Sequence, residues 1–317
     1  MNSKRILNFT IVFIALVISY FVTLRVDAPN YEDKLIRHTS IITNTIEHPY
    51  KYRVLNPFIT QVYIYVFNLV LPQKASFLLA YAIENLIVFL FLFYSFSKFI
   101  GVWFDNTGTT IALLLFAVLI PISLTGYDTV GDITTAGLMS LGFYFIVTDR
   151  VKYLFPVLII GAFNELQAIL LILFYFAGKK DNLKSGKAWL NTIYLVITFG
   201  VVYVLLYILR GGVPETDSST WLQRNDMLFN IRNLNFLLLW LMMVVPLLYF
   251  ALKELKAKPE FLKRNLLTIL PLFYLLTFFL IARMREIDKA LTIFVILIPL
   301  SLFTLLPSHL KQNKAAV

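Results

Sequence analysis

The sequence predicts an all-α fold, a polytopic transmembrane bundle of about 8–11 membrane helices or half-helices. The 317 residues are 59% hydrophobic and 15% charged, whereas soluble domains carry roughly a quarter charged residues. Long apolar runs recur along the whole chain, and no stretch is long and polar enough to form a soluble domain. We therefore expect residues 1–317 to form a single integral membrane domain.

Composition also excludes several kinds of site and partner. The absence of cysteine excludes disulfides, thiolate metal sites and a cysteine nucleophile, and three histidines make a histidine-rich metal site improbable. The net charge of +10 comes mostly from lysines beside apolar segments. A basic, aromatic-bearing polar surface of the kind that binds nucleic acid is absent, so nucleic acid is not an expected partner.

The first apolar run, 7–24, follows two basic residues, as a signal sequence would. It is long for a signal-peptide core, and Arg25-Val26-Asp27 is a poor cleavage site, so we expect a retained helix. Nine further apolar segments predict the remaining membrane elements, at 54–72, 76–100, 109–124, 131–148, 153–177, 188–209, 234–252, 266–282 and 289–307.

Lysine-rich loops at 179–187 and 253–264, with basic residues near both termini, predict a cytoplasmic side that holds both termini. Residues 25–53, 210–233 and 283–288 then lie outside. Most of the arginines gather on that outer side, namely Arg25, Arg37, Arg53, Arg210, Arg224, Arg232, Arg283 and Arg285. Because a planar guanidinium binds phosphate through two hydrogen bonds, this distribution predicts a phosphate-binding site at the outer face.

Two topologies fit these anchors. In the plain one, all ten segments cross the membrane. In the other, 54–72 rests on or dips into the outer face, and 153–177 is a hairpin entering from the inner side. The second is favoured because the polar run Asn164-Glu165-Leu166-Gln167 then separates two halves of about 11 residues, roughly 16 Å each and too short to span. Such broken helices are tolerated only around a cavity.

The first outer loop supplies the predicted general base. Asp27 lies three residues beyond the first helix, so its height is fixed, and a carboxylate held at the membrane surface can accept a proton from an incoming hydroxyl. The alternative is an interfacial anchor in which Arg25 pairs with Asp27. From Tyr31 to about Glu47, apolar residues that include Ile36 predict an amphipathic helix on the outer surface.

The next outer segment, 48–57, is a proline-bracketed run of aromatic and basic residues. Lys51 and Arg53 are predicted to hold a phosphate, and tyrosines, Tyr52 among them, to stack on a sugar. The alternative is a belt of snorkelling side chains at the start of a helix.

Further acids and arginines complete the predicted site. Asp128 and Asp132 are four residues apart and share a face if helical; helix capping is the alternative. Glu165, an ionisable group at membrane depth, is a functional candidate by default, with structural pairing as the alternative. Arg283 and Arg285 can grip a lipid-linked phosphate or ordinary headgroups. We expect these groups to converge on one pocket at the outer face.

Three motifs together resemble the GT-C superfamily of polytopic glycosyltransferases. They are the pattern Arg25-x-Asp27-x-x-x-Tyr31, the Pro-bearing basic segment after it, and the Gly126-Tyr127-Asp128 turn. The resemblance covers residues 1–180 as the conserved half, and 181–317 only by the number of helices.

The chain also departs from the family pattern. The family's Asp-Glu pair is broken by Ala28, and its Asp-x-Asp becomes Asp128 and Asp132. Asn164-Glu165 stands where many members have a lysine. The split acidic motif leaves metal use open.

The resemblance implies transfer of a sugar from a polyprenyl-phosphate donor to an acceptor, on the outer side of a bacterial inner membrane. Asp27 would be the base, with inversion, and Arg53, Arg283 and Arg285 would bind the leaving phosphate. Asp128 and Glu165 would shape the acceptor pocket or bind a divalent cation.

Family members differ in metal use, so Mg²⁺ or Mn²⁺ on Asp27 and Asp128 stays open. The expected partners are the lipid-linked donor and membrane lipids. Alternatives are a polysaccharide polymerase or ligase, a transporter or flippase of an anionic lipid-linked sugar, and a non-catalytic assembly subunit.

Overall fold

The chain folds as an all-α bundle, as predicted. The computed structural model describes residues 3–46, 50–124, 126, 129–179, 186–211, 232–269 and 291–311. These residues form twelve α-helices: α1 Ser3–Val22, α2 Tyr31–Ile42, α3 Leu55–Phe67, α4 Gln73–Ile100, α5 Asn106–Ser123, α6 Val130–Val147, α7 Leu154–Asn164, α8 Leu170–Gly178, α9 Gly186–Leu209, α10 Leu234–Leu252, α11 Glu260–Ile269 and α12 Leu291–Leu305. Strands are absent from this part of the chain, apart from an isolated bridge between Phe104 and Lys311.

Among the described residues, five helices are long and apolar enough to cross a membrane. They are α1 with its π-helical continuation to Asp27, and α4, α5, α6 and α9. Helix α3 has 13 residues, about 20 Å, and does not reach that length. A short α3 is in keeping with the favoured topology, in which this segment does not cross.

The core is centred on α6, the most buried of these helices. Helices α4 and α6 lie side by side and parallel, because Leu92 lies beside Gly137 and the rings of Phe99 and Phe143 are 5.5 Å apart. Helix α9 leaves most of its apolar side chains exposed at the periphery. The parallel pair α4 and α6 therefore forms the centre of the bundle.

The two ends of the bundle differ in charge. At one end Asn106 hydrogen-bonds Ser3 at 3.1 Å, and the chain's last described residue, Lys311, bridges Phe104. We call this the lysine-rich end, since α4 and α6 finish here and the Lys179–Asp149 ion pair, 2.8 Å long, lies here. The opposite end, where α6 begins, carries Arg25, Arg37, Arg53 and Arg210, and we call it the arginine-rich end.

Helices α7 and α8 form a hairpin that begins and finishes at the lysine-rich end. The outgoing arm runs to Glu165, which reaches Thr135 near the start of α6. The backbone is extended at Glu165 (φ −163°, ψ 143°), and a short 3-10 turn leads into α8. The break therefore falls in the polar run that predicted it.

Close contacts confirm that the arms fold back on each other. A Cβ built on Gly161 would lie 2.5 Å from Ala168 Cβ, so the arms touch where only glycine fits. On the returning arm, a Cβ on Gly142 of α6 would lie 2.5 Å from Leu171. The hairpin of the favoured topology is thus present.

The helix predicted for the first outer loop is present as α2, and it is shorter than expected. It finishes at Ile42, and Ile36 is 65% exposed. The buried face instead carries Tyr31, Lys34 and His38. Hydrogen bonds and an ion pair, described next, make burial of these polar groups favourable.

Candidate functional site

Asp27 lies in a buried ion pair at the arginine-rich end. Its carboxylate is fully buried, and Oδ1 accepts a short hydrogen bond from Lys34 Nζ, itself buried on α2. Oδ2 accepts from Asn85 Nδ2 of α4 at 2.7 Å. The Asp27 side chain is presented by the π-helical turn that continues α1, Thr23–Asp27. Three elements are thereby joined at one carboxylate.

The same buried group continues into α2 and α3 through His38. Its Nδ1 lies 2.9 Å from Tyr81 Oη and its Nε2 lies 2.8 Å from Gln61 Oε1. Lys34 Nζ stacks over the Tyr81 ring at 3.8 Å. Burial lowers the pKa of His38, the nearby Lys34 charge lowers it further, and the Gln61 hydrogen bond opposes both. A neutral imidazole bridging two side chains fits this network, which we call the Asp27 network.

A second ion pair lies at the tip of the α7–α8 hairpin. Arg53 Nη2 contacts Glu165 Oε1 at 2.7 Å, and Thr135 Oγ1 donates to Oε2 at 3.1 Å. The Glu165 side chain is 7% exposed and that of Arg53 is 19% exposed. The carboxylate is therefore buried, while its cation reaches the surface.

Amides fix the hairpin tip on α6 and α3. Asn164 Nδ2 donates to Gly131 O and to Thr135 Oγ1, both at 2.8 Å. Asn56 Nδ2 of α3 donates to Asn164 Oδ1 at 2.9 Å and to Thr134 Oγ1 at 3.1 Å. These bonds satisfy the buried amide side chain of Asn164 at the helix break. We call this set, with Arg53 and Glu165, the Glu165 network.

Further cations surround Arg53. The guanidinium carbons of Arg37 and Arg53 lie 3.6 and 4.9 Å from the centre of the Tyr50 ring. Arg210 Nε donates to Lys51 O at 3.1 Å, and its Nη2 donates to Ile41 O. Burial lowers the pKa of Arg210. Arg37 and Arg53 therefore meet at the Tyr50 ring, and Arg210 binds the backbone of the same segment. We call Arg37, Lys51, Arg53 and Arg210 the cation cluster.

The remaining predicted residues fall into different settings. Arg25 is exposed, and Asp27 pairs with Lys34 rather than with it. Tyr31 is buried with its edge against Phe77, the ring centres 5.4 Å apart.

Tyr52 is also buried, with its ring within 6 Å of Tyr203 and Tyr207 of α9, and burial raises its pKa. Asp132 is buried in the first turn of α6. Asp128, Arg283 and Arg285 lie outside the described residues.

Asp27 and Glu165 contact different side chains, and the expectation that the acids share one pocket stays a prediction. Lys34 and Asn85 hold Asp27, whereas Arg53 and Thr135 hold Glu165. A cavity of about 460 Å³ lies between α3, α4, α6 and α7, and neither acid lines it. Spacing along the sequence could not place the two acids, because the partners of Asp27 come from α2 and α4, whereas those of Glu165 come from Arg53 and α6.

Metal binding by Asp27 and Asp128, which the sequence leaves open, is only partly covered by the described residues. The described residues hold no group of three or more His, Asp or Glu side chains placed to bind a metal. At Asp27, Lys34 already supplies the positive charge that a divalent cation would bring. The second proposed ligand, Asp128, lies outside the described residues.

Sequence reasoning missed Lys34 and Asn85, which hold Asp27. One signal was present: Asn85 follows Glu84 inside a long apolar helix, where two consecutive polar residues are costly without partners. Lys34 lies seven residues after Asp27, on the next helix. Its contact with Asp27 therefore depends on the conformation of the turn between α1 and α2.

Comparisons with family models, with curated proteins and with solved structures find no match to this chain. The resemblance to GT-C enzymes therefore rests on the motifs quoted from the sequence.

Proposed function

We propose that the protein is a membrane glycosyltransferase that moves a sugar from a polyprenyl-phosphate donor to an acceptor hydroxyl. Its arginine-rich end would face the non-cytoplasmic side of a bacterial inner membrane, with both termini cytoplasmic. The observation that carries the proposal is the Arg53–Glu165 pair at the tip of the hairpin, beside the cation cluster. It combines phosphate-binding groups with a carboxylate that can take a proton.

The cation cluster suits the donor phosphate. A guanidinium offers two parallel N–H groups to phosphate oxygens, and several cations can share the charge that develops on a leaving phosphate. Arg53 is the best-placed residue for this role because its side chain is partly exposed while its partner is buried. A phosphate that binds Arg53 would displace the guanidinium from Glu165.

That exchange would free Glu165 to act as a base. The acceptor oxygen would attack the anomeric carbon as its proton passes to Glu165. The bond from the anomeric carbon to the phosphate oxygen would break, and its electron pair would leave with the phosphate. Thr135, already bonded to Glu165 Oε2, would keep the carboxylate oriented. Inversion at the anomeric carbon follows from one direct displacement.

Asp27 is the second candidate for the base. Both of its oxygens accept hydrogen bonds from buried side chains, so it would have to exchange Lys34 or Asn85 for the acceptor. Glu165 needs only the exchange of Arg53, the partly exposed partner. We therefore propose that Glu165 accepts the proton, and that Asp27 holds α1, α2 and α4 in position.

The test is transfer by the purified full chain in sealed proteoliposomes. Polyprenyl-phosphate hexose and pentose donors, labelled in the sugar, are supplied to one leaflet, and release of label from the polyprenyl phosphate is measured. Glu165→Gln should lower the rate by about 10²–10⁴-fold, the range for a lost general base. Arg53→Met should lower it by about 10²–10³-fold, as loss of a charge-stabilising donor does.

The matched control is Arg264→Met. Arg264 also pairs with a glutamate, Glu260 at 2.7 Å, but that glutamate is 47% exposed and lies on α11 at the lysine-rich end. It should transfer at a rate within about twofold of the unmodified chain, since exposed pairs contribute little. Unimpaired transfer by both Glu165→Gln and Arg53→Met would refute the proposed site. Loss in Asp27→Asn alone would move the base to Asp27.

A transporter or flippase is the second candidate, because the broken α7–α8 hairpin also resembles the discontinuous helices of transporters. The same vesicles separate the two. A transporter moves the intact donor to the other leaflet, whereas a transferase cleaves the sugar–phosphate bond. Movement of intact donor without cleavage would favour the transporter.

A further inference from the structure

Helix α4 carries two consecutive buried polar residues that face different neighbours. Asn85 donates to Asp27, as described above. Glu84 is 2% exposed and lines the cavity between α3, α4, α6 and α7. Its Oε2 has no hydrogen-bond partner among the described residues. Glu84 is therefore a buried acid that belongs to neither network.

The cavity is an elongated crevice with apolar walls. Along α6 it runs from Thr134 to Phe145, about 16 Å at the rise of an α-helix. Asn56 and Thr134 provide polar groups at the arginine-rich end, near Glu84. Its volume, about 460 Å³, falls within the range of small-molecule sites.

The crevice opens sideways through the apolar surface of the bundle. Its rim residues Ile59, Ile87 and Ile160 are 37%, 45% and 43% exposed. A ligand that enters here comes from the hydrocarbon of the membrane in which we place the protein, so its body must be apolar. Its polar group must reach Glu84.

A buried acceptor without a partner is costly, and a ligand with a hydrogen-bond donor removes that cost. An amine can pair with the Glu84 carboxyl in either protonation state. An ammonium N–H donates to a carboxylate oxygen, and a protonated carboxyl donates its O–H to a neutral amine nitrogen. The amine also neutralises the charge, which an alcohol of the same length leaves uncompensated.

We propose that this crevice binds a lipid-soluble primary amine, with its nitrogen on Glu84 and its alkyl chain along α4 and α6. The proposal does not depend on glycosyl transfer, because it rests on Glu84 and the apolar crevice; Asn56 and Thr134 of the Glu165 network only line the crevice at one end.

The experiment measures saturable binding of radiolabelled dodecylamine to the full chain in phosphatidylcholine nanodiscs, with empty nanodiscs subtracted. Dodecanol, equal in chain length and uncharged, is the matched ligand. We expect one saturable amine site and binding of dodecanol at least about tenfold weaker, the loss expected when a charge-assisted hydrogen bond is replaced by a neutral one.

Variants locate the site. Glu84→Gln should weaken amine binding by at least about tenfold, whereas Glu260→Gln, at an exposed acid on α11, should not change it. Ile160→Trp fills the rim without touching the carboxyl and should also weaken binding, which keeps the test valid if Glu84→Gln does not fold. Equal binding of dodecanol, or unchanged amine binding in folded Glu84→Gln or in Ile160→Trp, would overturn the proposal.

Discussion

Removal of the guanidinium from the Arg53–Glu165 pair should destabilise the hairpin tip. In Arg53→Met, Glu165 keeps the Thr135 hydrogen bond but loses its cation, while remaining 7% exposed. Loss of one partner of a fully buried pair costs about 3–5 kcal/mol. Because Arg53 is 19% exposed, water screens part of the interaction, and we expect about 2–3 kcal/mol. At roughly 2–4 °C per kcal/mol, the unfolding temperature should fall by about 4–12 °C.

Thermal unfolding in nanodiscs at a fixed scan rate measures this fall. The double variant Arg53→Met with Glu165→Gln removes both charges and should recover part of the loss, with a coupling of about 1–2 kcal/mol. Arg264→Met, which breaks the exposed pair with Glu260, should shift unfolding by less than about 1 kcal/mol. If Arg53→Met were no more destabilising than Arg264→Met, or the cycle showed no coupling, the pair would not hold the tip.

Three other measurements address separate features. Burial lowers the pKa of His38 below its ordinary value of 6.5, so the unfolded chain binds more protons as pH falls through 6.5. Native stability should decline there, by at most about 1.4 kcal/mol per pH unit, and His38→Gln should reduce the decline measured between pH 7.5 and 5.5; an identical decline would contradict this. Gly161→Ala should lower the unfolding temperature because the new Cβ would lie 2.5 Å from Ala168 Cβ. Added Ala168→Gly should restore it, and no loss in the single variant would contradict the close approach. Single cysteines at Lys152 and Lys179, in this cysteine-free chain, should react with an impermeant thiol reagent from the same side of the membrane; labelling from opposite sides would revive the plain ten-crossing topology.

The helical class and the hairpin could be predicted because both depend on local composition. Apolar runs identify the helices. The segment from Asn164 to Gln167, with three polar residues, interrupts one run where a continuous helix would bury them without partners. The break at Glu165 follows from that cost alone. Glu165 could also be predicted as a functional residue, because it is an ionisable group at membrane depth.

The partners of these acids could not be predicted, because they come from distant parts of the chain. Asp27 meets Asn85, 58 residues later, and Asn56 meets Asn164, 108 residues later. Arg210 was expected among the phosphate-binding arginines, yet part of its hydrogen bonding goes to backbone carbonyls of the first outer loop. Whether an arginine binds phosphate or backbone carbonyls depends on how the end of α9 packs against the first outer loop. That packing cannot be derived from the sequence alone.

The neighbouring positions of Glu84 and Asn85 fix the rotational phase of α4. Consecutive residues on an α-helix point about 100° apart, so one side of α4 serves Asp27 while an adjacent side serves the crevice. Deletion of a single residue between Gln73 and Glu84 would turn those two side chains by that angle relative to the preceding turns. The Asn85 amide would then lose Asp27, and the Glu84 carboxyl would leave the crevice. An insertion or deletion in this stretch should therefore disrupt both the Asp27 network and the crevice.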